Sequence, residues 1–91
     1  MGAFPTGSPK DLVKSIADGF TSFTAVSLKK FQPPHLRLLL QNLDIVEREI
    51  RREQVDDNDF EGVRKKNFRL GNLKRARLVV HGFIKHRRIQ L

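Results

Sequence analysis

Apolar residues recur at helical spacing along most of this chain. Leu12, Val13, Ile16, Phe20 and Phe23 follow a start signal at Ser8-Pro9-Lys10-Asp11. There Ser8 can cap, Pro9 needs no backbone donor, and Asp11 is a short form of the capping-box acid. Gly19 and the Thr/Ser-rich stretch after it weaken the end of this first helix. A second short turn carries Val26, Leu28 and Phe31. Pro33-Pro34 ends that turn and opens the next helix. Leu36, Leu39, Leu43, Val46 and Ile50 then follow at spacings 3, 4, 3, 4, with Leu40 widening the stripe. Asp56-Asp57-Asn58-Asp59 is a strong stop and turn signal. Phe60 to Leu70 reads as a short helix of its own, and Gly71-Asn72 as its cap or as the start of the last helix. From there Leu73, Ala76, Val79, Val80, Phe83, Ile84 and Leu91 share one arc. Gly82 within that helix costs about 1 kcal/mol and suggests a close approach by another backbone.

These elements predict an all-α fold. A flexible segment 1–8 precedes a single small helical domain over 9–91, with helices at 9–20, 34–54 and 72–89. The two long helices form an antiparallel hairpin joined through 55–71, and two hairpins pair into a dimeric bundle. The expected core is Leu12, Ile16, Phe20, Leu36, Leu39, Leu43, Val46, Ile50, Leu73, Val80, Phe83 and Ile84. A further apolar line, Leu38 and Ile45 on the middle helix and Leu78 and Ile89 on the last, points away from that core. A helix apolar on two faces is either central or touches a second chain. These four residues are therefore the expected oligomer or partner interface, set against the plainer account of a few exposed leucines.

Length and composition narrow the function. Ninety-one residues make one domain, and the absence of Cys removes disulfides, thiolate metal sites and a Cys nucleophile. No apolar run approaches the ~20 residues of a membrane helix, and no secretory leader is visible, so an intracellular, cytoplasmic protein is expected. Met1-Gly2-Ala3-Phe4-Pro5-Thr6 does fit the short myristoylation pattern, which is also a common way for a chain to begin.

The net charge of +8 is unevenly placed: residues 1–43 carry +3, residues 44–61 carry −5, and residues 62–91 carry +10 with no acid. On the last helix Lys74, Arg77, His81, Lys85 and Arg88 are spaced 3, 4, 4, 3, which puts them on one face. Arg64, Lys65, Lys66 and Arg69 lie just upstream. A row of cations at this pitch can follow a phosphate backbone and release its counterions. The competing account is a solvated face, or one that pairs with the acids of 44–61 in the same chain. Base reading has little support. Phe60, Phe68 and Phe83 are the only aromatics in or at the entry to the basic third, and Asn72, Arg75 and Arg77 do not sit in a recognisable helix-turn-helix.

Catalysis and metal binding have less support still. The glycines are dispersed, so there is no phosphate loop. Glu47, Glu49 and Glu53 stand among arginines, with Glu47 and Arg51 at i, i+4 as in an ordinary surface pair. His81 and His86 are five apart, His35 is distant, and the acidic run 56–61 lacks the glycine and final acid of a calcium loop. The expectation is a non-catalytic binding module without cofactor or metal. It contacts DNA or RNA backbone through Arg64, Lys65, Lys66, Arg69, Lys74, Arg77, Lys85 and Arg88. The alternative is a regulatory adaptor that homo-oligomerises and docks a partner protein or an anionic surface through its helical hairpin.

Overall fold

The computed structural model describes residues 7–90, and all regular structure among them is helical: α1 (Pro9–Ala17), α2 (Ala25–Leu28), α3 (Pro33–Arg52) and α4 (Phe60–Arg87). The Met1–Thr6 pattern, most of the segment expected to be flexible, and Leu91 lie outside the described residues. Helices α1, α3 and α4 each pack against the other two, and α2 packs on α4. The result is 46 Å long and 24 by 20 Å across.

Local chemistry explains where most elements begin. Ser8 Oγ accepts the Asp11 N–H at 3.4 Å, and Pro9 opens α1. Thr24 and Ser27 cap α2 reciprocally: Thr24 Oγ1 accepts the Ser27 N–H at 3.1 Å, and Ser27 Oγ accepts the Thr24 N–H at 2.9 Å. Asp59 Oδ1 accepts the Gly62 N–H at 2.9 Å at the start of α4. Before α3, the Gln32 N–H donates to His35 Nδ1 at 3.0 Å. His35 is thereby buried as a capping group, with its ring edge-on to Phe31.

Helix α1 stops three residues earlier than its apolar spacing predicts. Gly19 takes φ +85° and reverses the chain. The Phe20 N–H bonds to the Ser15 carbonyl at 2.9 Å, and the Gly19 N–H to that of Ile16 at 3.1 Å, a Schellman closure. Helical phase no longer applies beyond that point, so Phe20 is not a core residue: it is 84% exposed, and Phe23 is buried instead. Leu12 and Ile84, also expected in the core, lie partly buried at its edge.

The last helix corrects the expected boundary in the opposite sense. It begins at Phe60, so the connection from α3 spans only residues 53–59, and Gly71-Asn72 neither caps nor starts anything. Asn72 turns its amide outward to a neighbour: Nδ2 donates to the Ala17 carbonyl at 2.9 Å, satisfying an orphan acceptor at the end of α1. Leu70 and Leu73 on either side pack into the core. Burying a leucine contributes about 1.5–3 kcal/mol, which outweighs the roughly 1 kcal/mol that a helix-interior glycine costs.

The core joins Val13, Ile16 and Ala17 of α1 to Leu36, Leu39, Leu43, Val46 and Ile50 of α3 and Leu73, Ala76, Val80 and Phe83 of α4. Phe23, Leu28 and Phe31 close it from the α1–α3 connection. Helix α4 ends at Arg88, which adopts the left-handed conformation at φ 54°. The Ile89 N–H then reaches back to the Ile84 carbonyl at 3.0 Å, and Ile89 packs against the core.

Candidate polyanion-binding surface

The register of α4 on α3 decides which of the basic residues remain available. Arg77 lies 2.7 Å from Asp44 and 2.6 Å from Glu47. Arg69 lies 3.1 Å from Glu53, and its buried Nε is 3.1 Å from Asp18, close enough for an ion pair but not aligned for a hydrogen bond. Lys66 Nζ donates to the carbonyls of Arg51 and Glu53 at 3.2 and 2.8 Å, capping the end of α3. Earlier residues of α4 face later residues of α3, so the two helices run antiparallel. Three of the eight expected phosphate contacts, Lys66, Arg69 and Arg77, are thus engaged within the chain.

Two carboxylates of α3 are held in their ionised form by these contacts. Hydrogen bonds from Arg51 and then Arg77 set Glu47 below its ordinary pKa, and a hydrogen bond from Lys10 does the same for Glu49. Glu47, Glu49 and Glu53 therefore sit in structural ion pairs with Arg51 and Arg77, Lys10, and Arg69. Among the described residues no group of three or more metal-ligating side chains converges. No helix is long and apolar enough to cross a membrane.

The other five expected contacts, Arg64, Lys65, Lys74, Lys85 and Arg88, are exposed and have no ion pair among the described residues. They do not form one row. Arg64 and Lys65 stand within about a turn of Glu61, beside the acidic connection that carries Asp56, Asp57 and Asp59. Lys74 lies in the middle of α4. Arg88 leaves the stripe altogether, because its left-handed backbone turns it off the helix.

At the far end of α4 the surroundings are different. There α2 packs on α4, and Lys29, just after α2, shares a groove with His86 and Arg87, while Lys85 and Arg88 belong to the same last turn of α4. The antiparallel register brings the start of α3, with Arg37, to the same end. Lys30 adjoins Lys29, and its Nζ sits 5.6 Å from the Phe31 ring centroid, while the Arg87 guanidinium lies 5.2 Å from that of Phe83. Both contacts rest a cation on an aromatic face and leave the residue exposed. The pole so formed has no acidic member, since residues 19–43 and 62–91 contain neither Asp nor Glu. About 40 Å of helix separates it from the acidic connection. Sequence reasoning missed Lys29, Lys30, Arg37 and Arg87. The acid-free run 19–43 is the signal that could have found them, but only packing places it beside the end of α4.

The expected interface residues divide as well. Ile45 and Leu78 are exposed on the outer sides of α3 and α4, at 43% and 65%, and Leu38 is half-buried. Ile89 is the exception: the Arg88 turn folds it onto the core instead of leaving it on the outer face. A larger apolar exposure lies where sequence spacing did not put one. The α1–α2 connection and α4 enclose an open cavity of about 560 Å³ bordered by Phe20 and Phe68.

Compared with known proteins, the chain matches no family model, no curated protein and no solved structure.

Proposed function

We propose that this protein is a non-catalytic module that binds a polyanion, nucleic-acid backbone above all, through the basic pole. One observation carries the reading: Lys29 and Lys30 after α2, Arg37 at the start of α3, and Lys85, Arg87 and Arg88 at the end of α4 stand at the same end of the molecule, by the shared groove and the antiparallel register, with no acid among them. Fixed cations that stay unpaired in the folded chain are free to replace the counterions of a phosphate backbone. The site differs from the stripe read along the last helix. It keeps Lys85 and Arg88, gains Lys29, Lys30, Arg37 and Arg87, and gives up Lys74, Arg77 and the Arg64–Arg69 cluster, half of which is engaged with Asp18 and with the end of α3. The pole offers positive charge without base-reading geometry, so phosphate and shape recognition are favoured over sequence reading.

A salt-titrated binding assay against duplex DNA, single-stranded DNA and RNA tests this. With about five phosphates contacted, log K falls with log salt at a slope of roughly −4 to −5. Reversing Lys85, Arg87 and Arg88 together to Glu lowers affinity at least tenfold, whereas reversing Arg64 and Lys65 leaves it within about threefold. The proposal fails if no polymer binds at low salt, or if the two sets of reversals act alike.

The adaptor reading retains one specific support, the outward exposure of Ile45 and Leu78. A homodimeric bundle seated there gives twice the chain mass by light scattering and returns to monomer in Leu78→Asp.

A further inference from the structure

Two cavities run along the same side of α4. The larger, about 560 Å³, lies against the α1–α2 connection, and a second of about 390 Å³ lies against α2. They meet at Val79, which lines both. Of the nine α4 residues that line them, Phe68, Asn72, Arg75, Val79, Gly82 and His86 follow one another at spacings 4, 3, 4, 3, 4, with Ala76, Phe83 and Arg87 beside that line. That alternation is the seam along which one helix receives another, and from Phe68 to His86 it is about 27 Å long. The opposite wall carries Phe20 and Val26, 84% and 75% exposed, and Phe68 is 54% exposed at the end of the seam. One turn before the His86 end, a Cβ placed on Gly82 meets nothing within 4 Å, so the trough has room for a side chain there.

Charge indicates what fills it. Every ionisable side chain lining the trough is basic or His: Lys29, Arg75, His86 and Arg87. A second copy laid along the same seam would set these cations against their own counterparts, so self-pairing is opposed. A flat anionic surface would touch the Phe20 and Val26 ridge and leave the trough empty. A helix with an apolar stripe and acidic flanks matches the length and the charge of the trough together.

We propose that this trough is a docking site for an amphipathic helix of another protein, apolar along the inserted stripe and acidic on both flanks. The helix adds to the α4 seam as a fourth long element, as in other helix-in-groove complexes. The trough overlaps the basic pole at Lys29 and Arg87, but its apolar lining takes no part in the polyanion reading.

The test therefore leaves every charge in place. The probe is a fluorescent 18-residue peptide with Leu on one helical stripe and Glu on its flanks, and its control is a scrambled peptide of the same composition. The expected result is that the amphipathic peptide binds at least tenfold more tightly than the scramble. Phe20→Ser and Gly82→Leu each weaken it at least tenfold, while affinity for the nucleic-acid probe stays within twofold. Both substitutions fall on open surface, and circular dichroism verifies that the helices persist. Equal binding of the two peptides, no binding of either, or indifference to both substitutions overturns the proposal. A dimer of the unaltered chain that Phe20→Ser dissociates also overturns it, by assigning the trough to a second copy.

Discussion

The first part of α4 and its last turns are both basic, and they have very different electrostatic fates. Between Phe60 and Arg77 the helix lies along the acidic half of α3. Lys66, Arg69 and Arg77 are drawn into contacts with the end of α3, Glu53 and Asp18, and Asp44 and Glu47. Beyond Arg77 the antiparallel partner is the first half of α3, where no acid precedes Asp44. The cations there rest on aromatic rings or face solvent. Basic charge on a helix thus says little about availability until the neighbour at each level is known. Here the neighbour fastens three cations of the first part of α4, Lys66, Arg69 and Arg77, and none beyond Arg77.

The contrast depends first on the register that holds α4 against α1 and α3. Leu73 is fully buried where the three helices meet. Leu73→Ala costs about 2–5 kcal/mol from the lost burial and the residual cavity. Denaturant unfolding monitors the loss, and the variant should weaken both parts together.

A finer test sets one cation from each part side by side. Arg77→Met removes a guanidinium shared by two carboxylates and costs roughly 1 kcal/mol at neutral pH. Lys85→Met is nearly neutral for stability but lowers affinity for the nucleic-acid probe. The first effect also depends on pH. Because Glu47 is held below its ordinary 4.5 in the fold, its ion pairs stabilise fully above that value and fade as pH falls through the lowered folded value. The stability gap between the parent chain and Arg77→Met therefore narrows below about pH 4.5. A gap that stays constant into acid would mean that Arg77 acts through packing of its stem instead.

The smallest change falls at the end of α4. Arg88 holds a left-handed backbone, which an L side chain adopts at a penalty and glycine adopts freely. Arg88→Gly should raise the midpoint of thermal unfolding, by about 0.5–1 kcal/mol of stability, while reducing polyanion affinity by one cation. Stability and binding moving in opposite directions at this residue would separate the structural from the recognising role of the pole.

Much of the fold is legible in single stretches of chain. The Ser8-Pro9 and Pro33-Pro34 starts, the 3, 4, 3, 4 stripe of α3 and the acidic turn at 56–59 are local signals, and the helices follow them. The misreadings share a cause. Gly71-Asn72 has the local chemistry of a helix end, but Asn72 serves the terminus of a different helix, 55 residues earlier in the chain. Phe20 has core spacing, but a left-handed glycine precedes it and cancels the phase. Ile89 lies opposite the core on an extended helical wheel, but the helix has already ended. Periodicity holds only while the backbone stays helical, and whether it stays helical is settled by contacts from elsewhere.

By itself, the sequence determined an all-helical chain, most of its core, and a division of charge into an acidic middle and a basic last third. These follow from spacing, capping and composition, all of which act within a few residues. Only the tertiary structure decided which cations remain open, and it placed α2 and the start of α3 beside the end of α4. It also aligned Phe20, Val26 and Phe68 along one trough. Each of these depends on the register between elements far apart in the chain, and register is a property of packing that no local pattern encodes.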